Sequence, residues 1–112
     1  MPKDNFIYLG HIMERAEKIL RFIEGLDERS FSNDEKTQSA VIRELEVIGE
    51  ASKRISEDFK NQHPIIPWKI MAGMRDILIH NYEGVNPYRI WDTVQNDIPA
   101  LVTELKKIIL NK

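Results

Sequence analysis

The chain has 112 residues, 42% hydrophobic and 30% charged, which predicts one domain with a modest core across residues 1–112. It contains no cysteine, which excludes disulfides, thiolate nucleophiles and zinc–thiolate sites, and its formal net charge of −2 argues against stable coating of long nucleic acids. No apolar run approaches the roughly 20 residues that span a bilayer, and the first residues lack the apolar segment of a signal peptide. We therefore expect a cytoplasmic protein without membrane contact.

The first predicted helix runs from about Asp4 to Leu26, because apolar residues recur every three or four positions along it. Its apolar stripe consists of Phe6, Leu9, Met13, Ala16, Leu20 and Ile23. Gly25 lies near its end, where glycine commonly terminates a helix. His11 lies beside the stripe, and we interpret it as a surface or partly packed histidine in preference to a catalytic one.

A second helix is predicted to begin at Ser32, which is spaced from Glu35 as a capping box. Its apolar positions are Val41, Leu45, Ile48, Ile55 and Phe59. Gly49 costs a helix about 1 kcal/mol relative to alanine, so its presence indicates that another helix approaches closely, a dimer contact being one way to provide it. The polar face of this helix carries the carboxylates Glu46, Glu50 and Glu57 beside Lys53 and Arg54. They belong to a solvated face with ion pairs, or one of them meets Arg75 or His80.

The third predicted helix begins at about Pro67, after Pro64 has ended the second, and it reaches His80. Its inward positions are Ile70, Met71, Met74, Ile77 and Leu78. A turn over residues 81–86 then leads to the fourth helix.

Asn86 is the predicted N-cap of the fourth helix, which places Trp91 in the core. Pro99 lies inside this helix and must kink or interrupt it, so that Asp97 can cap the restart. No segment shows the alternation of a β-strand. The sequence therefore predicts an all-α fold, an antiparallel bundle of four to five helices whose last helix is kinked near Pro99.

The most distinctive polar pattern lies at the end of the third helix, where Arg75, His80 and Tyr82 follow one another closely. Five residues of an ideal helix rise about 7.5 Å and leave Arg75 and His80 about 140° apart, so the spacing alone does not make them converge. Convergence needs an unwound helix end, a reaching arginine or a second copy of the chain. A purely structural role, capping carbonyls and pairing charges, is the alternative.

Four segments of the chain resemble the HEPN superfamily, and closely its HepT-like branch. They are residues 40–51 (AVIRELEVIGEA), 66–76 (IPWKIMAGMRD), 80–82 (HNY) and 91–101 (WDTVQNDIPAL). They occur in one order with short gaps, so the resemblance extends over nearly the whole chain. It is far more specific than the spacing of an arginine and a histidine.

The resemblance implies a dimeric helical bundle that acts as a metal-independent endoribonuclease toxin of a type VII toxin–antitoxin system. Arg75 and His80 match the catalytic pair of the family. Tyr82 matches the tyrosine to which a partner, an MntA-like nucleotidyltransferase antitoxin, adds AMP from ATP and so silences the toxin. The toxin itself is expected to need no cofactor. Asp76 departs from the superfamily, which often has asparagine after the arginine, and it either orients Arg75 or weakens its attraction for phosphate.

The residues themselves account for such chemistry. RNA carries an internal nucleophile, the 2′-OH, so cleavage needs only proton transfer and stabilisation of negative charge. His80 suits the proton transfer and Arg75 suits the phosphate, while Asn81 binds phosphate or caps the helix end. We expect a 2′,3′-cyclic phosphate and a 5′-hydroxyl as products. The three histidines lie on different segments without the spacing of metal ligands, so no metal site is expected.

Candidate RNA contacts outside this pattern are Lys53, Arg54 and Lys69, with an ordinary solvated surface as the alternative. Trp68 and Tyr88 are candidates for base stacking. A hypothesis from a different class is a non-catalytic HEPN module that serves a minimal nucleotidyltransferase as a binding or regulatory subunit. The net acidity and Asp76 favour that alternative, whereas Arg75, His80 and Tyr82 together favour the enzyme.

Overall fold

The computed structural model describes residues 5–80 and 86–110, and within them the side chains of residue 74 and residues 76–80 are outside the description. In that part of the chain every regular element is a helix. The elements are α1 (Asn5–Phe22), α2 (Glu28–Ser32), α3 (Glu35–Lys53), α4 (Glu57–Gln62), α5 (Trp68–His80), α6 (Pro87–Asp92), a π-helical segment (Thr93–Asp97) and α7 (Ile98–Leu110). The predicted all-α fold is confirmed.

Four long rods form the bundle: α1, α3, α5 and the rod made of α6, the π-helical segment and α7. Helix α3 packs against α1 on one side and α5 on the other, and α1 also packs against α7. The short helices α2 and α4 connect the rods. No helix among the described residues is long and apolar enough to cross a membrane.

Polar contacts at one end and near the middle hold α1 and α3 as an antiparallel pair. At the start of α1 the side chain of Asn5 donates to Ser56 Oγ, just beyond α3, at 3.2 Å and accepts from Ser56 N at 3.1 Å. Near the middle of α3 Arg15 Nη1 donates to Glu44 Oε1 at 3.2 Å, and Lys18 Nζ lies 3.8 Å from Glu44 Oε2. Glu44 is only 6% exposed, and two cations compensate its buried charge.

The core lies between the rods and under α2. Its fully buried large side chains are Phe31, Leu9, Ile12, Ile19, Ile48, Ile66, Ile90, Ile98, Leu101, Leu105, Val41 and Val94. On α1 the buried face is centred on Leu9, Ile12, Ala16 and Ile19, so the predicted stripe was slightly rotated. Trp91 is buried against Phe31, with ring centroids 5.3 Å apart, as predicted.

The chain between α1 and α3 differs from its prediction. Helix α1 ends at Phe22, and Gly25 makes the reversal at a φ of +81°, which is the left-handed region that glycine tolerates. The short helix α2 was not predicted. Asp27 caps it, accepting from Ser30 N at 2.8 Å, while Ser30 Oγ accepts from Asp27 N at 2.9 Å. The hydrogen bonds that Ser30 N and, at 3.0 Å, Ser30 Oγ donate to the carboxylate hold the pKa of Asp27 below its ordinary value.

The capping box predicted from Ser32 is wrong. Asp34 caps α3 instead, accepting from Thr37 Oγ1 at 2.6 Å and from Thr37 N at 3.0 Å, and these bonds lower the pKa of Asp34. Ser32 is the last residue of α2, and its hydroxyl donates to the carbonyl oxygen of Arg29 at 2.9 Å. The carboxylate of Asp34 therefore caps α3, in place of the Ser32 hydroxyl that the sequence pattern suggested.

The second predicted helix is also shorter than expected. Helix α3 ends at Lys53, and Ser56 caps a separate helix, α4, by accepting from Phe59 N at 3.2 Å. Ser56 also bonds to Asn5, so the break is supported from α1. Phe59 consequently leaves the face of α3 and packs against Phe6, with ring centroids 5.9 Å apart.

The inward face predicted for α5 is partly wrong. Met71 is buried, but Ile70 is 51% exposed. The side chains of Met74, Ile77 and Leu78 lie outside the described residues.

The last rod contains a π-helical segment in place of a break. Asn86 caps α6 as predicted, accepting from Tyr88 N at 2.8 Å. Ile98 N then donates to Thr93 O, five residues back, and the chain continues as a helix into α7. Pro99 lacks an N–H and crowds the carbonyl four residues before it, and a wider turn just before proline relieves that conflict. The predicted kink is confirmed, but there is no restart for Asp97 to cap.

Candidate active site

Arg75 of α5 packs directly against the backbone of α3 at Gly49. A Cβ atom at position 49 would overlap the Cβ of Arg75 and would lie 3.0 Å from the carbonyl oxygen of Met71. The missing side chain of Gly49 is what leaves room for this approach. The close helix contact predicted from Gly49 is therefore confirmed, and the neighbour is α5 of the same chain.

A carboxylate of α3 holds the guanidinium of Arg75. Arg75 Nε lies 2.8 Å from Glu50 Oε2, and Arg54 Nη2 lies 3.7 Å from Glu50 Oε1. Glu50 thus links an arginine of α5 to an arginine of its own helix. Of the two interpretations of the α3 carboxylates, contact with Arg75 is confirmed for Glu50.

An open groove of about 350 Å³ lies over α3, between α1 and α5. Its polar lining consists of Tyr8 and His11 from α1, Arg43, Glu46, Glu50 and Arg54 from α3, and Arg75 from α5. Three arginines against two glutamates leave one formal positive charge, whereas the whole chain carries −2. The groove is therefore a locally cationic part of an acidic protein, which suits a short contact with phosphate.

His11 lines this groove, although no pattern in the sequence placed it there. Its side chain is exposed, as the sequence interpretation held, and its ring meets that of Tyr8 edge-on with centroids 6.2 Å apart. The only signal in the sequence was its position on the side of α1 next to the apolar stripe. Its position in one groove with Arg75 depends on the register between α1 and α3, which the sequence does not specify.

The other predicted members of the site lie wholly or partly outside the described residues. Asn81 and Tyr82 are among the residues that are not described, and so are the side chains of Asp76 and His80. The backbone of α5 is helical as far as His80. Between Arg75 and His80 the ideal rise of about 7.5 Å and rotation of about 140° therefore apply.

Comparison with known proteins places the chain in a family. The profile of the family described as ribonuclease HepT-like matches residues 12–108. The chain belongs to the HepT-like ribonuclease family. A protein of Thermococcus cleftensis named "probable ribonuclease HepT" is 49% identical over 108 residues, which are 96% of this chain and 98% of that protein. A protein of Methanocaldococcus jannaschii named as a candidate RNase is 48% identical over 110 residues, 97% of this chain and 91% of its own. No solved structure matches significantly.

In this HepT-like chain the candidate RNA contacts do not form one surface. Arg54 lines the groove. Lys53 is exposed at the end of α3, just beyond Val47, Glu50 and Ala51, which line the groove on that helix. Lys69 is exposed at a separate depression near α4.

Base stacking by Trp68 is wrong. This residue is 7% exposed, and its indole N–H donates to the carbonyl oxygen of His63 at 3.0 Å. Tyr88 is 53% exposed and remains a candidate. Among the described residues of this HepT-like chain, no group of three or more metal-ligating side chains is close enough to hold a metal ion.

Proposed function

We propose that this HepT-like chain is an endoribonuclease that cleaves RNA without a metal ion, with Arg75 and His80 as its catalytic residues. The family match supports the ribonuclease class. The observation that carries the assignment of Arg75 is its position in the cationic groove, where Gly49 admits it and Glu50 lies 2.8 Å from its Nε. A guanidinium has five N–H donors, so a bond to Glu50 through Nε is compatible with phosphate binding.

In the proposed reaction the 2′-oxygen of the substrate attacks the adjacent phosphorus, and the bond from phosphorus to the 5′-oxygen breaks. His80 accepts the proton of the 2′-OH or donates one to the 5′-oxygen, and such a role accelerates a reaction about 10²–10⁴-fold. Arg75 stabilises the negative charge that grows on the non-bridging oxygens in the transition state. Asp76 and Asn81 are proposed as supporting residues beside this pair.

We further propose that the chain works as a homodimer or larger homo-oligomer and is silenced by a partner. The partner is an MntA-like nucleotidyltransferase antitoxin, which transfers AMP from ATP to Tyr82. An AMP group two residues from His80 adds bulk and negative charge, so it blocks the site and repels the RNA phosphates. On this proposal the pair forms a type VII toxin–antitoxin system in the cytoplasm.

The test is RNA cleavage by purified protein in excess EDTA, after intact mass has shown that Tyr82 carries no AMP. Wild type is compared with His80→Ala. His63→Ala serves as the control, because His63 lies between α4 and α5 and is not among the residues that line the groove. We expect wild type and the control to cut RNA to cyclic-phosphate and 5′-hydroxyl ends, and His80→Ala to be inactive.

Two results would contradict the proposal. Cleavage of an all-deoxy substrate as fast as RNA would rule out attack by the 2′-oxygen. Failure of unmodified, folded wild type to cut any of a varied set of RNAs would favour the non-catalytic binding module.

A further inference from the structure

The register of the α1–α3 pair places His11 level with Gly49. The two helices are antiparallel, and Glu44 of α3 pairs with both Arg15 and Lys18 of α1. Four residues back from Arg15 correspond to four residues on from Glu44, which is residue 48. Seven residues back from Lys18 correspond to seven residues on from Glu44, which is residue 51. The two polar contacts therefore bracket Gly49.

Arg75 lies at the same level of α3 on the other wall. It contacts the backbone of Gly49, and its Nε lies 2.8 Å from Glu50 Oε2. His11 and Arg75 therefore face one groove from α1 and α5 across the same turn of α3. A groove of about 350 Å³ is large enough to admit a phosphodiester group between them.

The proposed reaction requires two proton transfers, and His80 accounts for one. Histidine is the side chain best suited to either transfer near neutral pH. Of the other two histidines, His63 packs its ring on Phe59 with centroids 4.5 Å apart and lies outside the groove. We propose that an RNA strand enters this groove with its scissile phosphate between Arg75 and His11, and that His11 is the second proton-transfer residue of the reaction.

This inference rests on the proposed ribonuclease activity. The bond from the 2′-oxygen to phosphorus forms as the bond from phosphorus to the 5′-oxygen breaks. One histidine accepts the 2′-OH proton while the other donates a proton to the departing 5′-oxygen, so no water, metal or redox partner enters this step. The products are the 2′,3′-cyclic phosphate and the 5′-hydroxyl.

The charged and titratable groups around His11 come from all three helices of the groove. Tyr8 lies beside it on α1, while Glu46, Glu50, Arg43 and Arg54 line the floor on α3, and Arg75 faces it from α5. His11 therefore shares the groove with groups of both charges.

The experiment measures single-turnover RNA cleavage against pH, in EDTA, for wild type, His11→Gln and the matched control His63→Gln. Because the His11 side chain is exposed, its substitution should leave the melting temperature unchanged. We expect His11→Gln to be about 10²–10⁴-fold slower than wild type and to lose one limb of the bell-shaped pH profile, while the control keeps both limbs. A merely structural role would lower the rate and leave the shape of the profile intact.

A substrate whose departing 5′-oxygen is replaced by sulfur assigns the direction of proton transfer, since a thiolate leaves without protonation. If His11 is the acid, His11→Gln cleaves this substrate as fast as wild type does. If His11 is the base, the variant stays slow on it and loses the acidic limb.

Wild-type cleavage together with a His11→Gln rate within about threefold of wild type and an unchanged profile would overturn the role of His11 alone. Absence of wild-type cleavage would overturn the proposed function, and this inference with it.

Discussion

The ion pair of Glu50 with Arg75 bears on how the guanidinium of Arg75 is oriented. It lies 2.8 Å from Arg75 Nε and 3.7 Å from Arg54 Nη2, so it fixes the guanidinium of Arg75 from one edge. The pair is 29% and 47% exposed, and ion pairs at such exposure contribute only about 0–1 kcal/mol to stability. The contact is therefore better suited to orienting Arg75 than to stabilising the fold.

Replacing Glu50 by glutamine should consequently reduce catalysis more than stability. We expect Glu50→Gln to lower kcat about 10- to 100-fold, because small displacements of a phosphate-binding group are costly, with a change in unfolding free energy below about 1 kcal/mol. Glu46→Gln is the matched control, since Glu46 lines the same groove but makes no ion pair with any described residue. The kcat of both variants is compared with that of wild type on one RNA substrate. A wild-type kcat for Glu50→Gln as well as for Glu46→Gln would show that Arg75 does not need Glu50.

Tyr82 carries the regulatory prediction at the same scale. Tyr82→Phe keeps the ring but removes the hydroxyl that would receive AMP, so the variant should cut RNA at the wild-type rate and resist silencing by the nucleotidyltransferase with ATP. Intact mass and residual cleavage after incubation with the partner are the two measurements. AMP on the purified Tyr82→Phe variant, or continued silencing with covalent AMP, would place the modified hydroxyl elsewhere.

At the scale of elements, the contact between α3 and α5 depends on the absence of a side chain at Gly49. Gly49→Ala would force apart the two helices that hold Arg75 and Glu50. We expect it to destabilise the protein by about 1–3 kcal/mol, despite the better helix propensity of alanine, and to reduce cleavage.

Gly73→Ala is the control for this contact, because an added Cβ at Gly73 meets no atom within 4 Å. Removing a glycine from a helix position with open space should stabilise the protein by up to about 1 kcal/mol. Urea unfolding measures both variants. A neutral effect of Gly49→Ala would mean that α5 shifts easily on α3 and that the tight contact is not required.

The π-helical segment contains a carboxyl that opposes folding at neutral pH. Burial, and then the charge of Asp92, raises the pKa of Asp97 above its ordinary value. The folded state therefore binds more protons than the unfolded state between the ordinary and the raised pKa, so this residue lowers stability as pH increases through that interval. Below the ordinary pKa both states are protonated and the effect vanishes.

Asp97→Asn should accordingly raise the melting temperature at about pH 7 and have little effect at about pH 3. Asp92→Asn removes the neighbouring charge but leaves Asp97 partly buried, so its effect should be smaller. Thermal melts across this pH range test both variants. A uniform shift of Asp97→Asn at every pH would indicate altered packing of the π-helical segment as the cause.

For the whole molecule, the contrast between a net charge of −2 and a groove with three arginines predicts a weak dependence of RNA binding on salt. If all three arginines meet phosphates of a single strand, log kcat/KM should fall against log salt with a slope of about −2. Arg43→Ala should reduce that slope by about 0.7. A slope several times steeper would show that the strand extends onto a surface outside the groove.

The sequence predicted the helical class and the long rods, because apolar periodicity reports the face that each helix buries. It missed α2 and the break before α4, because Asp27, Asp34 and Ser56 act as caps only once their backbone partners are in place. It also named Glu50 among three carboxylates that could meet Arg75 or His80. It could not place His11 in the groove, since the alignment of α1 with α3 depends on contacts between residues that are distant in the chain.

The π-helical segment has a consequence for the evolution of this fold. A bond that spans five residues encloses one residue more than the α-helical pattern requires, so Thr93–Asp97 has the form of a single-residue insertion. Deleting one residue there would return the segment to the α-helical pattern and keep the buried face of α7 in register with the preceding helix. Deleting one residue inside α7 would instead turn the helix beyond the deletion by about 100°. Fully buried side chains such as Leu101 and Leu105 would then leave the core. A single-residue deletion in the π-helical segment should therefore preserve the buried face of α7, whereas one inside α7 should not.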